Sequence, residues 1–305
     1  MKKVVIYSLS LLLVSTLTIL SCNNDSPDTT VPEPDQPSIN LLLATTQGTA
    51  NTEITNINLE SGQQFSFTIE CMIVSSRVYD SATETIGYTS CDNTFVMVNP
   101  TTGEQLNAFP LPGPVNMAVI NETDHVLIGV YFDTNEAINR VIRLDLDNGE
   151  LLSDLKVEDI GPMYTCSQFF NQGDQTFSLI RDDDRIVTLD ATNGQILSET
   201  SISGGTNFIY YLEETNILVG ITYNPLNDTN YVEQTNLNTG SIIRSRPLPA
   251  ITGLRLCAVG FDVASNSLVA INANNRVIYI NIDSGEITED IDIASHMEPI
   301  TFYAQ

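Results

Sequence analysis

Residues 144–152 read LDLDNGELL. Apolar residues alternate with acids, Asn148-Gly149 breaks the run, and apolar residues resume, which is how a tight β-hairpin is written. The phrase recurs. Asn58-Leu59-Glu60-Ser61-Gly62, Asn99-Pro100-Thr101-Thr102-Gly103, Asp145-Leu146-Asp147-Asn148-Gly149, Asp190-Ala191-Thr192-Asn193-Gly194, Asn236-Leu237-Asn238-Thr239-Gly240 and Asn281-Ile282-Asp283-Ser284-Gly285 obey one rule. Each is Asn or Asp, any residue, a polar residue, then Ser, Thr or Asn, then Gly. The leading side chain can accept a hydrogen bond from the turn backbone, and the Gly supplies a positive φ. The six Asn/Asp residues are therefore read as turn chemistry and not as catalysts.

The Gly-to-Gly spacings are 41, 46, 45, 46 and 45, and a fixed period of this size signals a repeat array. Around the third turn lie strand-like segments: NMAVIN, VLIGVYF and RVIRLDL before it and LLSDLKV after it. The other repeats carry counterparts, and no sustained helical period follows the first twenty residues. Four short strands per unit predict a β-propeller. The first unit begins at Ile39 and lacks its innermost strand, while Pro299-Ile300-Thr301-Phe302-Tyr303-Ala304-Gln305 has the missing pattern. The expectation is an all-β, six-bladed β-propeller over residues 39–305, closed by a C-terminal strand that pairs with blade 1 and so removes two open sheet edges. The repeats resemble the YVTN and PQQ-like propeller families, whose blades share a strand followed by Asp-x-x-Thr-Gly. The resemblance implies an architecture and no particular activity.

The first 38 residues read differently. Lys2-Lys3, the apolar run 4–20 and Ile19-Leu20-Ser21-Cys22 resemble the signal peptide and lipobox of bacterial lipoproteins, with Leu20 where a small residue is usual. The resemblance implies cleavage after residue 21 and lipidation of Cys22, which would hold the protein on a membrane. Residues 23–38, NNDSPDTTVPEPDQPS, form an acidic, Pro-rich tether. An acidic stretch right after the cysteine resembles lipoproteins of the Bacteroidota. There it implies an outer-membrane address with exposure at the cell surface. Asp28-Thr29-Thr30 and Asp80-Ser81-Ala82 resemble the O-glycosylation triplet of that phylum.

Acids outnumber bases 38 to 12, for a formal charge of -26. Such a surface repels nucleic-acid phosphates and anionic headgroups, so contact with a membrane is expected through the lipid anchor only. Two histidines, His125 and His296, cannot build a His-rich metal centre. His125 follows Asn121-Glu122-Thr123-Asp124 and reads as an exposed turn; His296 reads as a loop residue before the closing strand. No Gly-x-Ser-x-Gly elbow and no sialidase Asp-box is present, and the chain has no Trp, which the quinone-cofactor propellers use for stacking. No cofactor is expected. Ca²⁺ remains a candidate through Asp182, Asp183 and Asp184, although neighbours on a hairpin tip seldom converge on one ion.

Of the five cysteines, Cys71 and Cys91 fall in two loop classes that share one propeller face, which makes a bridge between them geometrically reasonable. Cys166 and Cys257 begin inner strands two blades apart and read as small buried residues, too distant to pair. Repeat alignment places Asn116, Tyr164, Asn207 and Arg255 at the channel mouth as ligand-binding candidates. The expectation is a non-catalytic, monomeric recognition module that binds a protein or glycan through this loop face. Two alternatives stand beside it: a Ca²⁺-dependent hydrolase resembling the gluconolactonase or phytase-like propellers, and a scaffold subunit of an outer-membrane assembly.

Overall fold

The computed structural model describes residues 39–47, 51–158, 160–202, 206–251, 253–293 and 298–304. The signal peptide, Cys22, the tether, the triplet Asp28-Thr29-Thr30 and His296 lie outside the described residues. The strands run in chain order. First come β1 (Ile39–Gln47), β2 (Asn51–Asn58) and β3 (Gln64–Glu70), then β4 (Val78–Asp80), β5 (Thr85–Thr89), β6 (Thr94–Val98) and β7 (Gln105–Pro110). They are followed by β8 (Met117–Asn121), β9 (Val126–Asp133), β10 (Ile138–Asp145) and β11 (Leu151–Val157), then β12 (Met163–Asn171), β13 (Thr176–Arg181), β14 (Arg185–Asp190) and β15 (Ile196–Ser201). Next come β16 (Thr206–Leu212), β17 (Ile217–Asn224), β18 (Thr229–Asn236) and β19 (Ser241–Pro247), then β20 (Leu254–Asp262), β21 (Ser267–Asn272), β22 (Arg276–Asn281) and β23 (Ile287–Asp292), and last β24 (Glu298–Ala304).

Five antiparallel sheets each use four consecutive strands, from β4–β7 to β20–β23. Their first strands, β4, β8, β12, β16 and β20, lie side by side in that order. The sheets therefore radiate as blades, and the fold is an all-β propeller arrangement. The described residues hold no α-helix, only single 3₁₀ turns at Val74–Ser76 and Glu213–Thr215. The expected count of six blades needs a correction: five blades are built, each from four consecutive strands. The remaining sheet is composite, ordered β24-β1-β2-β3. In it Ile39 is the register partner of Ala304 and Leu41 that of Phe302. β24 also touches β20 and β4.

The repeated turns behave as their local chemistry requires. Asn58 Oδ1 accepts the Ser61 N–H at 2.7 Å, Asp145 Oδ1 the Asp147 N–H at 2.8 Å and Asn236 Oδ1 the Asn238 N–H at 2.9 Å. The counterparts Asn99, Asp190 and Asn281 do the same. Hydrogen bonds from the Thr192 hydroxyl and its N–H hold the Asp190 carboxyl below the usual carboxylate range. Each turn closes with the Gly N–H donating to the Asn/Asp carbonyl, at 2.9 Å for Gly149 and Asp145. Gly149 has φ +77°, and it also has a neighbour. A Cβ there would lie 2.3 Å from Phe109 Cδ1, on the outer strand of the preceding blade. The turn glycine thus ends a hairpin and seats one blade against the next.

Middle strands are buried on both faces because each blade has a neighbour on each side. In β9, Val126 through Tyr131 are all buried, and so is every residue of β21. Outer strands such as β7 are mostly exposed. Apolar clusters fill the gaps between sheets. One packs Phe95 and Met97 against Ala118, Leu127 and Ile142; another packs Val130 and Val141 against Phe177 and Leu179. A third joins Ile57 and Leu59 of the composite sheet to Val269, Val277 and Tyr279. Polar links cross the same seams. Asn121 Nδ2 donates to Gln175 Oε1 at 2.6 Å, Asn171 Nδ2 to Tyr211 Oη at 2.9 Å, and Gln234 Nε2 to the Ile282 carbonyl at 2.9 Å.

Two readings from sequence are overturned. His125 is not a free turn residue. Its Nε2 lies 2.9 Å from Asp80 Oδ2, across a blade boundary, and its Nδ1 lies 2.5 Å from Asp147 Oδ1. Asp80 is fully buried and also accepts the Thr83 hydroxyl and the Ala82 N–H. Cys166 is not a buried thiol: it is half-buried and disulfide-bonded. Cys71 and Cys91 are joined to each other, with Cα atoms 5.4 Å apart.

Candidate functional site

On the face formed by the β9–β10 hairpin and the loops entering β8 and β12 lies a cleft of about 660 Å³. Its walls come from separate stretches of chain. The 3₁₀ turn contributes Ser75, the loop before β8 contributes Asn116, and β9 contributes Val130, Tyr131 and Phe132. The start of β10 adds Ile138 and Asn139, the loop before β12 adds Ile160, Gly161 and Pro162, and β12 adds its first residue, Met163.

Local sequence sets each wall. The Asn116 N–H is held by the Val130 carbonyl at 2.9 Å, which leaves the side-chain amide exposed at the mouth. Phe132 and Asn139 are register partners at the end of the hairpin. Phe132 stays 46% exposed, so its ring faces solvent at the edge of the cleft. Behind it Tyr131 is buried and lies flat on Gly113, where any Cβ would come within 2.4 Å of the ring. Burial, then the charge of Asp154, pushes the Tyr131 hydroxyl above its ordinary pKa. Arg140 Nε donates to Asp154 Oδ1 at 2.8 Å, and Lys156 Nζ to Glu136 at 2.7 Å, so the cations of this rim are committed to carboxylates. What remains for a ligand is a neutral surface: an aromatic face, amides, a hydroxyl and an apolar floor.

The sequence candidates separate. Asn116 lines the cleft. Tyr164 follows the last cleft residue, and its hydroxyl donates to the Asp182 carbonyl at 3.2 Å. Burial, then the carboxylates of Asp184, Asp182 and Asp183, pushes that hydroxyl above its ordinary pKa. Asn207 lies on β16 and Arg255 on β20, and their side chains fall outside the described set. Asp182, Asp183 and Asp184 do not converge. Asp183 Oδ2 pairs with Arg181 at 2.9 Å and Arg185 at 3.6 Å, and Asp184 turns through φ +60°. Among the described residues no cluster of three or more His, Cys, Asp or Glu is arranged to hold a metal. Phe132, Tyr131, Asn139 and Ser75 were not anticipated. The one available signal was the length of the hairpin 126–145, whose strands run to eight residues each where β5 and β6 have five.

No protein-family model matches the chain, and no curated protein does either.

Proposed function

We propose that this protein is a lipid-anchored, non-catalytic glycan-binding module of the bacterial cell envelope, built on a six-bladed propeller. The observation that carries the glycan reading is the neutral cleft with Phe132 exposed at its rim between Asn116 and Asn139. Sugar rings present apolar C–H faces that stack on aromatic rings, and hydroxyls that pair with amides. An exposed aromatic recurs at the matching place two blades on, where Tyr223 pairs with Asn230 as Phe132 pairs with Asn139. Tyr223 borders a second groove of about 510 Å³ with Asn224, Tyr231 and Glu233.

The six-bladed count takes the composite sheet as the sixth blade. Support comes from its contact with β20 and β4 and from the apolar cluster that joins it to β21 and β22. The cell-envelope address rests on the lipobox-like Ile19-Leu20-Ser21-Cys22 and the acidic tether. Surface exposure, attachment through the lipid alone and a monomeric state complete the reading. No nucleic acid and no cofactor enters it.

The test is a glycan array probed with the full chain in mild detergent, wild type against Asn116→Ala and Phe132→Ala. Loss of an exposed stacking ring typically costs about 0.5–1.5 kcal/mol, so binding should weaken roughly 2- to 13-fold. An array without hits, or hits that survive both substitutions, overturns the reading.

A further inference from the structure

The chain has five cysteines. Cys71 and Cys91 are bonded to each other, and Cys166 is also disulfide-bonded. Its partner is therefore Cys22 or Cys257.

The backbone favours one of them. In β12 the pairing with β13 jumps from Met163↔Arg181 to Gln168↔Leu179, so residues 164–167 stand opposite Ile180 alone. In β20 the pairing with β21 jumps from Leu254↔Asn272 to Val259↔Ala270, so residues 255–258 stand opposite Ile271 alone. These are register breaks of the same size at the same place in two blades, and surplus residues at such a break leave the plane of the sheet. Cys166 is the third residue after Met163, and Cys257 the third after Leu254. Cys166 has φ +60°, a backbone turned far from the strand direction. In β16, between them, the jump spans only Asn207 to Tyr210. β12 and β20 nonetheless approach within 8 Å at Cα, although a blade separates them. Bridged cysteines need Cα atoms about 4.4–6.8 Å apart, a short step from strands that already lie within 8 Å of each other.

We propose that Cys166 is bonded to Cys257, a covalent chord that joins the inner strands of two non-adjacent blades over β16. Its formation takes one proton and one electron from each thiol. The two electrons pass to the disulfide of a thiol-oxidising exchange partner, which leaves as a dithiol; Cys71–Cys91 calls for the same class of oxidant. The chord holds β20, which touches the closing strand β24, to the middle of the chain, and so clamps the ring beside its seam.

The test is a disulfide map of the full-length protein, alkylated without reduction and digested with trypsin. Cleavage falls after Lys156 and Arg181 and after Arg255 and Arg276. The expected species is peptide 157–181 joined to peptide 256–276 and parted by reductant. An alkylated Cys166, or peptide 157–181 joined to the peptide that holds Cys22, overturns the assignment. Cys166→Ser and Cys257→Ser should each lower the Tm by roughly 5–10 °C, and the double variant should melt like the singles. Two single losses that add would mean that the residues act separately, against the proposal. Where a variant fails to fold, the wild-type map still decides.

Discussion

Replacing the turn glycine of one repeat should be far worse than replacing that of another, and the difference should measure how the blades are seated. Gly62 and Gly149 occupy the same place in the same turn, with φ +69° and +77°. Alanine at either pays the left-handed penalty of about 1–2 kcal/mol. Both also gain the same small offset from a stiffer unfolded chain, which cancels in the comparison. The surroundings differ. Around Gly62 nothing lies within 4 Å of an added Cβ, whereas at Gly149 the added atom meets Phe109 Cδ1 at 2.3 Å and Cε1 at 2.8 Å. Phe109 packs on the cluster around Phe95 and Leu144, so its ring has little room to retreat. Overpacking of this kind adds about 1–3 kcal/mol. Gly62→Ala should therefore destabilise by about 1–2 kcal/mol and Gly149→Ala by about 2–5 kcal/mol, read by urea unfolding with unchanged m-values. In a Phe109→Ala background the Gly149→Ala loss should shrink to the Gly62→Ala value. Equal losses at the two glycines, or no relief from Phe109→Ala, would refute the seating argument.

Two further outcomes follow from the same contacts. Burial alone would lower the pKa of His125, but hydrogen bonds and charge from Asp147 and Asp80 outweigh it and hold the imidazole above its ordinary value. A raised folded-state pKa contributes stability that is complete below about pH 6.5 and lost as pH rises through the folded value. The Tm gap between wild type and His125→Asn should thus be wider at pH 5.5 than at pH 9, and a pH-independent gap would count against the Asp80–His125–Asp147 bridge. Deleting residues 299–305 removes most of β24 and strips β1 of that partner. The truncated chain should aggregate or melt well below wild type in a thermal scan with light scattering, and a truncation that melts like the full chain would sink the closure.

What was legible from sequence was local. Asn or Asp followed four residues on by Gly determines its own turn, because the acceptor, the donor and the positive φ all lie within five residues. Middle strands such as β9 and β21 were legible because burial on both faces makes them nearly continuous apolar runs. The cleft was not, since Ser75, Asn116, Phe132 and Met163 meet only after loops from three blades are stacked. His125 failed for the same reason: Asp147 lies in the next turn, and Asp80 ends β4 in the preceding blade. Cys166 failed because a regular strand would have carried it away from a residue two blades distant. A bulge that breaks the register is invisible to a repeat alignment, which assumes that matching positions have matching backbone.

The composite sheet has one more consequence. Since Ile39 and Ala304 are register partners, the fold begins and ends at the same spot. Nothing in the packing of the sheets marks one of them as first. A short linker between those two residues would make a covalent loop that can be reopened at any exposed hairpin tip, such as Asn224–Thr229, to give a circular permutant with the same sheets. The order of sheets along the gene is then one of several equivalent ways to thread the same arrangement. The threading used here sets the first and last described strands side by side in one sheet.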